Sequence, residues 1–268
     1  GGNSTSVQGS VNNIVVEQNL NSYVKNTKVR SGGNISVQTE DKSDFDAVIG
    51  AIAISLGSNA VGASISTAVF GGKNQALVEN SVIDNYDENN SLKDLIIKST
   101  QNDDFNNGII AGSVAGSVGV GGAVSTIIFN KEVLGYANNI QNINDSKFQN
   151  ITIDSNAKTD LDIIAGGIAG GGTAGVGATV NTITFDKKVE SLIKNNSKIV
   201  TVNKDTVYAN AIDNIAISSV AGSGGGAYSA SGIVSTTLVD STINSGIKDS
   251  TIIANEIDVK SNGTNNYT

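Results

Sequence analysis

The stretch Gly119-Val120-Gly121-Gly122-Ala123-Val124-Ser125-Thr126-Ile127-Ile128-Phe129 decides how the chain is read. Its second half, Val124 to Phe129, returns upstream as Ile65-Ser66-Thr67-Ala68-Val69-Phe70. Downstream it returns as Val180-Asn181-Thr182-Ile183-Thr184-Phe185 and Val234-Ser235-Thr236-Thr237-Leu238-Val239. A worn copy, Val11-Asn12-Asn13-Ile14-Val15-Val16, stands near the start. The third positions, residues 13, 67, 126, 182 and 236, are 54, 59, 56 and 54 residues apart. A motif at a slightly drifting period marks a stacked repeat, in which each unit buries its apolar face against the next. Five units can be drawn, 1–45, 46–105, 106–160, 161–213 and 214–268, together forming one rod segment. The chain starts and stops in mid-repeat, which reads as a piece of a longer protein.

Each full unit has the same order of parts. A Gly/Ala-rich apolar run comes first, such as Ala47-Val48-Ile49-Gly50-Ala51-Ile52-Ala53-Ile54. A Gly turn and the marker phrase follow, and a short strand such as Asp94-Leu95-Ile96-Ile97-Lys98-Ser99 closes the unit. These runs alternate or are β-branched and are bounded by Gly, Asn and Asp, which is the strand signal. No useful length shows the 3–4 spacing of an amphipathic helix, and each interior glycine costs a helix roughly 1 kcal/mol. The expected fold is all-β with nearly no helix, as a parallel β-helix whose backbone groups pair with the coils above and below.

Aligning the copies produces columns. Tyr23, Leu77, Tyr136, Leu192 and Gly246 form one; Val16, Phe70, Phe129, Phe185 and Val239 form another. Asn26, Asn80, Asn139, Asn195 and Asp249 form a structural column at a turn, where Asn suits φ > 0. Asn amides on adjacent coils also donate and accept between neighbours. Coils of ~18 to 20 residues would put three in each repeat and give a rod on the order of 70 Å long. The Asn column would then mark equivalent turns about 14 Å apart rather than a ladder in contact. Two longer coils per repeat are the alternative, and the sequence does not choose between them.

Composition removes several functions. His and Cys are absent, so no Ser-His-Asp triad, thiolate nucleophile or ordinary zinc site is available. The net charge of −8 and the single Arg, Arg30, argue against nucleic acid and anionic membranes as partners. No apolar run is long enough for a transmembrane helix. The acid pairs Glu40-Asp41, Asp103-Asp104 and Asp160/Asp162 read as solvated turns. Their alternative is the carboxylate pair of a glycosidase or the Ca²⁺ cluster of a pectate-lyase-type β-helix, which one Arg makes weak. Gly170-Gly171-Gly172 and Gly224-Gly225-Gly226 precede no Lys-Ser/Thr and read as tight turns or close backbone approaches, not phosphate loops. The Gly-Gly runs also lack the Asp of the calcium nonapeptide, so no catalytic residue, metal or cofactor is expected. The Thr-rich strands read as ordinary β-propensity rather than an ice-binding face. The Gly/Ala-rich runs read as core strands; because Gly112 to Val124 is nearly uncharged, membrane activity is their functional alternative.

The cycle of Gly/Ala-rich strand, Gly119 to Phe129, Tyr136-Ala137-Asn138-Asn139-Ile140 and Ile151-Thr152-Ile153-Asp154-Ser155 resembles the leukotoxin-type filamentous adhesins of anaerobic Gram-negative bacteria. It is more loosely similar to filamentous haemagglutinins and autotransporter passengers. The resemblance covers the whole chain and implies a right-handed parallel β-helix, export to the outer surface or medium, and contact with host cells. It carries over no catalytic residues. The expectation is therefore a non-enzymatic virulence segment, toxin or adhesin, that meets a host-cell receptor or glycan. Its variable loops near 85–93 and 142–149 are the expected contact points. A passive spacer is the bland reading.

Overall fold

The computed structural model describes residues 4–85, 93–142 and 147–268. Thirteen strands follow one another among them, with no helix. They are β1 (Thr5–Glu17), β2 (Leu20–Lys25), β3 (Lys28–Ser31), β4 (Ile35–Ser55), β5 (Asn59–Asn85), β6 (Leu95–Ala115) and β7 (Val118–Asn142). Then come β8 (Phe148–Gly171), β9 (Ala174–Lys194), β10 (Lys198–Gly225), β11 (Tyr228–Ile247), β12 (Thr251–Ile253) and β13 (Glu256–Tyr267).

All the pairing between strands is parallel. β1, β5, β7, β9 and β11 form a first ladder. β4, β6, β8, β10 and β13 form a second. The chain alternates between them, so each strand pairs with the one a full circuit away. The architecture is parallel β-helix-like, with two long parallel sheets laid face to face.

The register decides how many residues make one coil. Asn13 pairs with Thr67, Thr67 with Thr126, Thr126 with Thr182 and Thr182 with Thr236. The repeat is thus one coil, neither three nor two. Five coils about 4.8 Å apart rise only about 20 Å, so the rod on the order of 70 Å is replaced by a broad slab. Its breadth comes from strands of 21 to 28 residues, such as β4 and β10. Globular strands are usually 3–10 residues long, and that habit is what divides the period into three. Here the two sheets pack on each other along the strands, on large side chains at one end and small ones at the other, so no corner is needed every few residues.

The interior is a wedge. At its thick end Ile35, Val37, Leu95, Ile97, Ile153 and Ile199 are among the buried side chains of the largest cluster. Toward the middle an aromatic stack crosses the gap: Phe70 and Phe105 have centroids 4.1 Å apart, and Phe129 and Phe185 4.6 Å. Beyond it only small clusters remain, such as Ala53, Ala60 and Ala115. In the thin half the two backbones touch. A Cβ on Gly62 would stand 2.0 Å from the Gly112 carbonyl oxygen, and one on Gly121 2.3 Å from that of Ile168. Packed sheets normally stand about 10 Å apart, and only glycine permits this closer approach.

The thick end turns a corner at the Asn column. Asn26, Asn80, Asn139, Asn195 and Asp249 have φ of 51, 46, 50, 58 and 50°. Asn and Asp are the non-glycine residues that adopt this left-handed conformation most readily. After the corner β3, the ends of β5 and β7, the start of β10 and β12 form a short third side. The column is also partly a ladder in direct contact: Asn139 Nδ2 donates to Asn80 Oδ1 at 2.9 Å. Asn195 instead donates to Asn138 Oδ1 at 2.6 Å. Asn139→Ala is expected to cost about 1–2 kcal/mol in urea unfolding, from left-handed strain and the lost amide bond. Asn139→Gly removes the strain and is expected to cost under about 1 kcal/mol.

Candidate interaction surface

The chemistry-bearing side chains are mostly inside. Lys131 on β7 points into the wedge, with Nζ 3.0 Å from Asp41 Oδ2 and 3.9 Å from Asp103 Oδ2. Gln101 Nε2 also donates to Asp103. Burial, opposed by Lys131, raises the Asp103 carboxyl to about 6. One coil on, Lys187 donates to Asp213, and both side chains are fully buried. Desolvation lowers the Lys187 ammonium below its ordinary value against the pull of Asp213. Lys187 also stands 5.3 Å from the centre of the Phe185 ring.

These pairs recast the acid candidates. Strand alternation separates Asp41 from Glu40 and Asp103 from Asp104, placing Asp41 and Asp103 inside and their neighbours outside. Asp41 and Asp103 then converge with one lysine, the kind of cluster an enzyme needs. Yet their side chains are 1% and 0% exposed, and Lys131 is 2% exposed, so no polymer reaches them in this conformation. Asp160 and Asp162 share the outward face of β8 and stay apart from that cluster. Among the described residues no group of three or more acidic side chains is arranged to hold a metal ion.

Asp205 on β10 is a different case. It is fully buried, and neither carboxylate oxygen meets a hydrogen-bond partner at ordinary distance. Desolvation raises it to about 6 from 3.8. Because the folded value lies above the unfolded one, this group's stability contribution is complete below about pH 4 and lost as pH rises through 6. The loss approaches about 3 kcal/mol at neutral pH, at roughly 1.36 kcal/mol per unit. Asp205→Asn is therefore expected to unfold at higher urea than the parent at pH 7, with a much smaller gain at pH 4. Equal gains at both values would sink this reading.

The outward faces are more unusual. On the first ladder the register aligns three apolar columns: Val7-Val61-Val120-Val176, Val11-Ile65-Val124-Val180-Val234, and Val15-Val69-Ile128 ending at Leu238. Many of these side chains are exposed, among them Val11, Ile65, Val124 and Val180. The Thr column of the marker phrase lies between the second and third, also pointing out. On the second ladder Val48, Ile52, Ile54, Ile110, Val114, Ile164, Ile168 and Val220 are exposed over the thin half. Nearer the thick end that face becomes polar: Asn106 Nδ2 donates to Asp46 at 2.8 Å, and Asn262 Nδ2 to Asn210 at 2.9 Å. Asn210 in turn donates to Asn156 at 3.0 Å, making an amide ladder.

The sequence contains the signal for both features, as residues repeated at the period on alternate positions. Reading needs the register to tell which parity faces out. The contact loops expected near 85–93 and 142–149 fall mainly on 86–92 and 143–146, which lie outside the described residues. No described helix is long and apolar enough to cross a membrane. No protein-family model matches the chain, and neither curated proteins nor solved structures include a match.

Proposed function

We infer that this chain is a non-catalytic segment of a secreted or surface-exposed bacterial protein, adhesin or cytotoxin, built as a right-handed parallel β-helical solenoid that presents a periodic surface to a host cell. The observation that carries the reading is the continuous register of the first ladder. One residue type stacks on its equivalent in coil after coil, as with Thr67, Thr126, Thr182 and Thr236. A repeated surface engages several copies of a receptor or glycan at once, and avidity then exceeds the strength of any single contact. The buried state of Asp41, Asp103 and Lys131 supports display over polysaccharide cleavage. The loops around 86–92 and 143–146 are the proposed contact points, since insertions there leave the ladders in register.

Binding of the labelled chain to leukocytes tests this reading. Saturable binding that weakens when the two loops are shortened supports it. Unchanged binding after shortening removes the loops as contacts, and no saturable binding to any host cell type leaves a spacer. Electron microscopy of two copies joined in tandem tests the solenoid: the axial length should grow by about 4.8 Å per coil.

A further inference from the structure

Two columns of chemistry-bearing side chains face each other inside the wedge. Asp41, Asp103, Thr159 and Asp213 stand in register on the second ladder. Lys131 and Lys187 stand in register on the first. Both columns border the aromatic stack. Lys131 is the next inward residue after Phe129, and Asp103 is the inward residue before Phe105.

Within these columns one group of three is set up to react with itself. Lys131 Nζ lies 3.0 Å from Asp41 Oδ2 and 3.9 Å from Asp103 Oδ2, and all three side chains are buried. Gln101 Nε2 donates to Asp103 Oδ2, while Asp103 Oδ1 has no hydrogen-bond partner. An amine, a carboxyl group and a second carboxyl with a free oxygen therefore share one closed space. No outside substrate reaches it, and an intramolecular reaction needs none. Burial makes the ionised pair costly to keep. Passing one proton from the ammonium to Asp41 leaves a free amine against a neutral carboxyl. Reactants held this way behave as if at effective concentrations of ~10⁵–10⁸ M.

We propose that Lys131 and Asp41 condense into an isopeptide bond that fastens the two sheets together. The Lys131 Nζ–Asp41 Cγ bond forms, and one Asp41 C–O bond breaks. Counted from ammonium and carboxylate, the nitrogen gives up two protons, and both leave on that oxygen as one water. Asp103 carries protons from the nitrogen to the departing oxygen and ends unchanged. Its carboxyl, raised by burial to about 6, both takes and gives a proton near neutral pH. No oxidant, reductant or second molecule is consumed.

The neighbouring pair shows what singles this one out. Lys187 meets Asp213, but the hydroxyl of Thr159 stands where Lys131 has a second carboxyl. Without that proton carrier Lys187 and Asp213 remain an ion pair. The position of the bond also matters. Among the described residues β4 pairs only with β6, and strands at the end of a ladder open first. The bond ties β4 to β7 on the opposite sheet and closes a loop across 90 positions of sequence. A chain without Cys has no disulfide for that purpose. The proposal stands whether or not the chain contacts host cells.

Mass spectrometry of the folded chain, denatured just before measurement, tests this. The expected mass is lower than that of the sequence by one water, not two. Trypsin should then leave residues 31–42 joined to 99–147, because an amidated Lys131 is no longer a cleavage site. Lys131→Arg keeps the positive charge and should show the full mass of its own sequence, with the parent's circular dichroism. Lys187→Arg should still lose the water. Asp103→Asn should fold like the parent and lose the water roughly a hundredfold more slowly, the lower end of what a placed proton carrier contributes. Loss at the parent's rate in that variant overturns the role of Asp103. The full sequence mass in the folded parent, with separate peptides 99–131 and 132–147, overturns the bond itself. So does a water lost inside a single peptide, either by Lys131 joining Asp103 or by an aspartate closing on its own backbone.

Discussion

Gly121→Val is expected to lower stability by at least about 3 kcal/mol and to split the thin half of the wedge. The added Cβ would stand 2.3 Å from the Ile168 carbonyl oxygen and 2.9 Å from its carbon, both backbone atoms. No rotamer relieves that contact, because the first side-chain atom is already inside the facing sheet. The sheets must separate, which loosens their packing on both sides. The neighbouring glycine supplies the control. Gly122 points outward, and its Cβ would meet only the Ala178 carbonyl oxygen, at 3.9 Å. Gly122→Ala should change stability by less than about 0.5 kcal/mol, as exposed substitutions usually do. Urea midpoints of the two variants against the parent make the measurement. Comparable losses in both would mean that glycine matters here through chain flexibility and not through the approach of the sheets.

Lys187→Ala is expected to cost about 3–5 kcal/mol, because it leaves the fully buried Asp213 carboxyl without its cation. The loss should exceed that of an aliphatic truncation, since the ammonium also lies near the Phe129 and Phe185 rings. Part of the Asp213 carboxylate is held elsewhere, by Ser241 Oγ at 3.3 Å, but a hydroxyl does not neutralise it. The double replacement Lys187→Met with Asp213→Leu removes both charges and refills the space. It should regain most of the lost stability, as buried ion pairs often do when replaced by apolar residues of similar volume. A double variant no better than Lys187→Ala would show that the pair contributes net stability beyond its own desolvation.

Different parts of this structure are legible to different degrees. The columns of the aligned repeats are the pairing register: Leu77, Tyr136 and Leu192 stand beside one another on adjacent strands. Parallel pairing makes that possible, because it places each residue beside its equivalent one period away. The corner at Asn26, Asn80, Asn139, Asn195 and Asp249 was legible from residue type, since few side chains tolerate positive φ. The length of a coil was not, because strand length depends on what lies across the gap. The apolar columns were hidden in the same way. Val124 and Ser125 are adjacent in one phrase, and only the facing sheet determines that the serine is buried and the valine exposed. Nor does composition show that Lys131 and Lys187 are buried, since lysine is usually solvated.

The sequence by itself determined the period, the all-β character and the positions of the corners. Each of these follows from local conformational preference or from identity between neighbouring coils. Tertiary structure alone decided that one period makes one coil, that the coil tapers to a glycine-lined edge, and that Lys187 finds Asp213. Those depend on the second sheet closing over the first. Its contacts join residues that no shared period relates, such as Gly121 with Ile168 and Lys131 with Asp41.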